Sequence, residues 1–347
     1  MKKNKVAIAC QGGGSQTAFT AGVLKSFFEN DIHKKKQLVS FSGTSGGAVC
    51  AALAWYSMIK VQKGDRTPLA QRLSQFWQDN STQNIFDKWL NDTLVFNLRM
   101  IDGGWLPRWE LSPSSIYSKL ALSYFSELTF NRTFYDFKAL LETHLDFKEI
   151  ESWGKVERPA LLIGAANVLK GDFKKFSSLQ GEITVEALLA SAAVPTLFPA
   201  VKIGKDAYWD GLFSDNPPTD ELLDEELVGL DNLPDELWVI QINPRTCKTI
   251  PTSSQDIVDR RNEMIGNQSL YQDLEKIRLI NRLLEKGAFT EKFKTKYRPV
   301  QIRIIEMSDK LQQMLDYSTK LDRDRAFIEC LIEDGEAQGR ELIKALS

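Results

Sequence analysis

The chain has 347 residues, 43% of them hydrophobic and 26% charged, an ordinary globular composition with length for one large domain or a domain with appendages. Its 44 basic and 46 acidic side chains leave a formal charge of −2, so no global basic field points to nucleic acid or to strong attraction by anionic membranes. No apolar run approaches the roughly 20 residues of a membrane-spanning helix.

The N-terminus, MKKNKVAIACQGGG, has only five apolar residues between its basic start and the glutamine, too few for the apolar region of a signal peptide. The expectation is a soluble cytoplasmic protein. Cys10, Cys50, Cys247 and Cys330 are scattered, with no CxxC and no histidine at ligand spacing. That pattern predicts reduced, mostly buried thiols and neither a zinc site nor a disulfide framework.

In chain order, KVAIAC (5–10) is a short apolar run followed at once by Gly12, Gly13 and Gly14, then by TAFTAGVLKSFFE with helical spacing: strand, tight turn, helix. LVSFSG (38–43), the small-residue turn at Ser45 and GAVCAALAWYSMIK repeat the pattern. Two such units predict a parallel sheet covered by helices. From Gly64 to about residue 155 the texture changes to aromatic-rich helical segments such as SQFWQDN, DKWLND, GGWLPRW, ALSYF and TFYDFKALLETH. Trp77, Trp89, Trp105 and Trp109 in this insert suit either core packing or a wall for an apolar ligand.

PALLIGAANV (159–168) returns to a buried strand, followed by a GD turn, KKFSS, and the short helix TVEALLASAAV ended by Pro195. AVKIG and DAYWDG form a predicted hairpin around GKD, and ELWVIQINP (236–244) another core strand. A long amphipathic helix over about 255–285, a strand in RPVQIRIIE and a last helix over about 320–345 complete the chain. The division expected is a catalytic domain over 1–250, with the helical insert at 64–155, and a mainly helical C-terminal extension over 251–347 packed on the core.

Gly43, Thr44, Ser45, Gly46 and Gly47 satisfy GxSxG between a strand and a helix, the context that motif requires. A serine there is held clear of the sheet near free helix amides; the bland reading is an N-cap serine after a glycine turn. The amides of Gly12, Gly13 and Gly14 can form an anion-binding concavity. A dinucleotide site would want GxGxxG, but Thr17 stands at the third glycine position. An oxyanion hole built from this loop and the Gly46 amide fits better.

The serine needs a proton acceptor, and the only histidines are His33, in a polar turn before KKK, and His144, at the end of TFYDFKALLETH. Neither follows an acid in the order Ser, Asp or Glu, His, except His144 with an acid from the insert; a solvated side chain suits the first and a helix C-terminus the second. A carboxylate acting directly is the other route. Asp210 stands out because it ends an apolar strand after Tyr208 and Trp209, although an Asp before Gly also serves simply as a turn residue.

Together QGGGSQTAFTAGVL (11–24), GTSGGA (43–48), PALLIGAANV, SAAVPTLFPAV (191–201) and YWDGLFSDNPP (208–218) resemble, in order over roughly residues 5–245, the patatin-like phospholipase family. The resemblance implies a three-layer α/β/α fold with a mostly parallel central sheet and a metal-free, cofactor-free lipid acyl hydrolase acting on carboxylic esters of phospholipids. It implies Ser45 as nucleophile, Asp210 as base, and Gly12, Gly13, Gly14 and Gly46 as the oxyanion hole. The expected partner is a lipid or acyl ester substrate, which leaves peripheral membrane contact open and excludes nucleic acid. Where the family often has arginine then glycine after the glycine run, this chain has Gln16 and Thr17, and Leu212 follows Gly211 where DGG or DGA is usual. The first change removes a positive charge beside the loop, and the rival to a hydrolase is a catalytically silent member that binds lipid or a protein partner.

Overall fold

A computed structural model of the chain describes residues 3–102, 105, 137–156, 158–195, 197–247, 250–290 and 297–346. The elements in chain order are β1 (Lys5–Cys10), α1 (Ala18–Glu29), α2 (Ile32–Lys35), β2 (Gln37–Thr44), α3 (Gly46–Gln62), α4 (Gln71–Asn80), α5 (Ile85–Asp102), α6 (Phe137–His144), α7 (Phe147–Trp153), β3 (Ala160–Asn167), β4 (Phe173–Ser177) and α8 (Val185–Ser191). They continue with β5 (Val201–Ile203), β6 (Asp206–Asp210), α9 (Glu225–Val228), β7 (Glu236–Ile240), α10 (Ser254–Glu285), β8 (Gln301–Ile305), α11 (Asp309–Gln312) and α12 (Arg325–Leu346).

One sheet runs β5-β6-β3-β2-β1-β7-β8, with β4 also on β3. Its centre is parallel from β3 to β8, and β4, β6 and β5 add antiparallel pairs beyond β3. The alternation of a strand explains why β1 is apolar throughout: Val6, Ile8 and Cys10 enter the core layer on one face and Ala7 and Ala9 that on the other. Trp238 and Ile240 of β7 divide from Leu237 and Val239 in the same way. The first layer holds α1, α3 and α12; the second holds α10. This is a three-layer α/β/α fold.

The helices come from the two strand–turn–helix units and the amphipathic stretches, as the apolar spacing predicts. The first four residues of KKFSS, for which the sequence suggests no element, lie in β4: the turn at Gly171 folds it back on β3 in register, Ala166 opposite Phe173. The last helix begins at Arg325 rather than near 320, because Asp324 Oδ1 accepts the Phe327 N–H at 3.1 Å and caps it there. Residues 318–321 form a separate single turn, and that turn lies against the glycine loop after β1.

Trp77 is core, 2% exposed and edge-on to Phe76, so it does not wall a ligand site. Trp89 and Trp105 are exposed; Trp109 and ALSYF lie outside the described residues. Of the cysteines expected to be mostly buried, Cys10 and Cys50 are, whereas Cys247 and Cys330 are exposed.

Candidate active site

Sheet register brings the candidate residues together. Thr44, the last residue of β2, pairs with Gly164 of β3, and the next β3 residue, Ala165, pairs with Asp210 of β6. Beyond Asp210 the chain folds over β3: a β-carbon on Gly211 would lie 2.9 Å from Thr44 Cγ2 and 3.0 Å from the Gly164 carbonyl. Only glycine permits that approach. One strand therefore separates the serine turn from the acid, and the loop after the acid closes the gap.

Ser45 has φ 55° and ψ −132°, a left-handed backbone uncommon for a residue with a side chain and characteristic of strained strand-to-helix turns. It is held there from outside. Ser191 Oγ accepts the Ser45 N–H at 2.9 Å and donates to the Gly164 carbonyl at 2.7 Å, while Thr44 Oγ1 donates to the Asp215 carbonyl at 2.6 Å. Gly46 follows because a β-carbon there would overlap Thr17 Oγ1. Thr17 itself turns its hydroxyl back to the Gly14 carbonyl at 2.6 Å, so its side chain packs between the loop and the start of α3.

Asp210 is fully buried. Its backbone N–H donates to the Ala193 carbonyl at 2.9 Å, so the SAAVP segment fixes both the serine turn and the acid. Its Oδ1 accepts the Leu212 N–H at 2.8 Å. Oδ2 is buried with no completed hydrogen bond among the described residues, and the Ser45 hydroxyl is among the groups that act on the carboxyl. Burial pushes the carboxyl up to about 7, against the downward pull of the Ser45 hydroxyl, the Leu212 amide and the Lys320 ammonium. Leu212, the departure behind the acid, thus supplies a backbone donor to it.

The glycine loop divides. The Gly12 N–H donates to Asn216 Oδ1 at 2.6 Å, which anchors the loop. The amides of Gly13, Gly14 and Gly46 have no acceptor among the described residues. Gln11, just before the glycines, is buried and binds across the fold: Oε1 accepts the Ile242 and Asn243 amides, each at 2.8 Å, and Nε2 donates to Asn267 Oδ1 at 2.9 Å. Gln11, Ser191 and Asn216 are supports that residue-by-residue reading missed, although each lies inside a motif quoted above.

Neither histidine enters the site. His33, expected in solvent, is half-buried in a T-shaped contact with Phe28, and His144 Nε2 pairs with Asp79 at 3.0 Å. Asp215, Glu221 and Asp273 bring carboxylate oxygens within 4.8 Å of one another. Lys175 pairs with Asp215 at 3.2 Å and with Glu221, and Lys276 pairs with Asp273 at 2.7 Å. These ammonium groups supply cationic charge inside the cluster. Burial, joined by the repulsion of Asp215 and Asp220, pushes the Glu221 carboxyl up to about 8. Among the described residues no helix is long and apolar enough to cross a membrane.

The patatin-like phospholipase family model matches residues 8–223, and the chain belongs to that family. Among solved structures, VipD from Legionella pneumophila aligns over 96% of this chain and 67% of its own, at 14% identity and a TM-score of 0.34. None of the curated proteins matches significantly. Lipid acyl hydrolysis is the activity the family supports.

Proposed function

We propose that the chain is a serine esterase of the phospholipase A type, in which Ser45 is the nucleophile and Asp210 the general base. The single observation that carries this is the buried Asp210 carboxyl, raised to about 7 and acted on by the Ser45 hydroxyl, its Oδ2 completing no hydrogen bond among the described residues. A base works best with an affinity for protons near the operating pH. Ser45 Oγ attacks the ester carbonyl carbon and passes its proton to Asp210 Oδ2. The resulting oxyanion takes amides from Gly13, Gly14 and Gly46, where one donor commonly lowers the barrier by about 2.7–4 kcal/mol. The carbonyl re-forms as the alcohol leaves with the proton from Asp210, giving an acyl-enzyme. Water then loses a proton to Asp210 as it attacks, and the fatty acid departs with Ser45 restored.

The substrate is a lipid ester, met at a membrane or micelle surface. Support for peripheral contact comes from α5, which exposes Ile85, Phe86, Trp89 and Phe96, side chains that favour a lipid interface. The test is labelling by a fluorophosphonate probe together with acyl-chain release from a mixed phospholipid panel. Wild type is expected to label and to release fatty acid, with Ser45→Ala doing neither while keeping its thermal midpoint. A folded wild-type chain that takes no label would instead favour a silent lipid-binding member of the family.

A further inference from the structure

Gln16 occupies the position where a positive charge was expected, and it uses its amide on residues from far along the chain. Its Nε2 donates to the Asp316 carbonyl at 3.0 Å and to Thr319 Oγ1 at 2.8 Å. The next residue is Lys320, whose carbonyl oxygen covers Gly14 so closely that a β-carbon there would overlap it. Lys320 Nζ donates to Asn243 Oδ1 at 2.8 Å and lies 5.3 Å from the Tyr317 ring centroid. Asn243 is in turn bound through its N–H to Gln11. The backbone of Lys320 thus packs against the last glycine of the loop, and its ammonium reaches, through Asn243, the residue before the first.

The charges facing this ammonium are Glu263 and Asp259 of α10 and Asp210 of the site. Burial draws the Lys320 pKa down to about 8, and the three acids resist that shift in the order named. Among the causes acting on Asp210, Lys320 is the one full positive charge. Lys320 lies outside the family-matched residues 8–223.

We propose that Lys320 is a positioning cation of this site: Gln16 docks the 316–320 segment against the glycine loop, and that segment holds the Lys320 ammonium on Asn243, itself bound to the residue before the loop. This rests on the serine–aspartate reading above. Gln16 carries no charge itself but anchors the segment that does.

The experiment is the pH dependence of fluorophosphonate labelling of the full chain, comparing wild type with Lys320→Met, Lys320→Gln and Lys320→Arg, with Ser45→Ala as blank and circular dichroism as the folding check. Losing a nearby opposite charge raises a carboxyl pKa. The two neutral variants are expected to move the labelling midpoint upward by about half a pH unit or more, so that labelling at pH 6 slows about threefold. Lys320→Arg is expected to keep the wild-type midpoint. Lys320→Gln retains a donor for Asn243, so it reads the charge even where Lys320→Met fails to fold. A folded neutral variant with the wild-type midpoint and rate overturns the role of Lys320 alone; a wild type that does not label overturns the dyad beneath it.

Discussion

Asp210 keeps an ionisable group where solvent does not reach, and that placement has a cost with a defined sign. Its native pKa of about 7 lies above the ordinary carboxylate value near 3.9. Below about pH 4 both folded and unfolded chains hold the proton and nothing is lost. Between about pH 4 and 7 the unfolded chain releases it while the native chain does not, so stability falls by about 1.4 kcal/mol per pH unit, levelling off above 7. Asp210→Asn is therefore expected to gain up to about 4 kcal/mol at pH 8, while losing turnover by about 10²–10⁴. The matching wild-type profile rises with pH through a midpoint near 7, as the base becomes ionised. Thermal unfolding at pH 5 and 8 beside a pH–rate series checks both, and an Asn variant with full turnover would place the base elsewhere.

Ser45 and Asp210 stand out in the sequence because their local context is peculiar: a serine amid glycines between strand and helix, and an acid closing an apolar strand. Gln11, Ser191, Asn216 and Lys320 carry no such local mark. Ser191 meets Ser45 across 146 positions, Asn216 meets Gly12 across 204, and Thr319 meets Gln16 across 303. Such roles exist only once the strands are in register. The acceptor of the Gly12 donor likewise lies at the far end of the family-matched region.

Among the elements, the strand–turn–helix units follow from patterns a few residues long, whereas α12 depends on a distant partner. It crosses α1 at very close range: β-carbons on Gly335 and Gly22 would overlap the carbonyls of Phe19 and Ile332 respectively. Ile328 and Leu331 are buried nearby, and Lys25 pairs with Glu336 at 2.5 Å. For Gly335→Ala two effects compete. Helix propensity favours alanine by about 1 kcal/mol, but the obstructing atom is backbone and cannot swing aside, and overpacking costs about 1–3 kcal/mol. The expected result is a lower thermal midpoint with Ser45 labelling retained below it; an unchanged or raised midpoint would mean that the crossing loosens without strain.

In the whole molecule, the family-matched residues 8–223 do not make a complete sheet. β7 pairs with β1 at its centre, and β8 extends the same edge, so a chain stopped at residue 230 leaves β1 as a bare apolar edge of the kind that aggregates. A chain stopped at 310 recovers the sheet but lacks α12 and the 316–319 contacts to Gln16. Both are expected to remain unlabelled by the fluorophosphonate, the shorter one in the insoluble fraction; a soluble, labelled 310-residue chain would show that the glycine loop organises itself.

The clasp between Gln16 and Thr319 spans 303 positions, so the glycine loop is held by a segment synthesised long after it. A growing polypeptide that has not yet emerged past Thr319 cannot close that clasp. Until that later segment arrives, the glycine loop lacks the support that reaches it through Gln16.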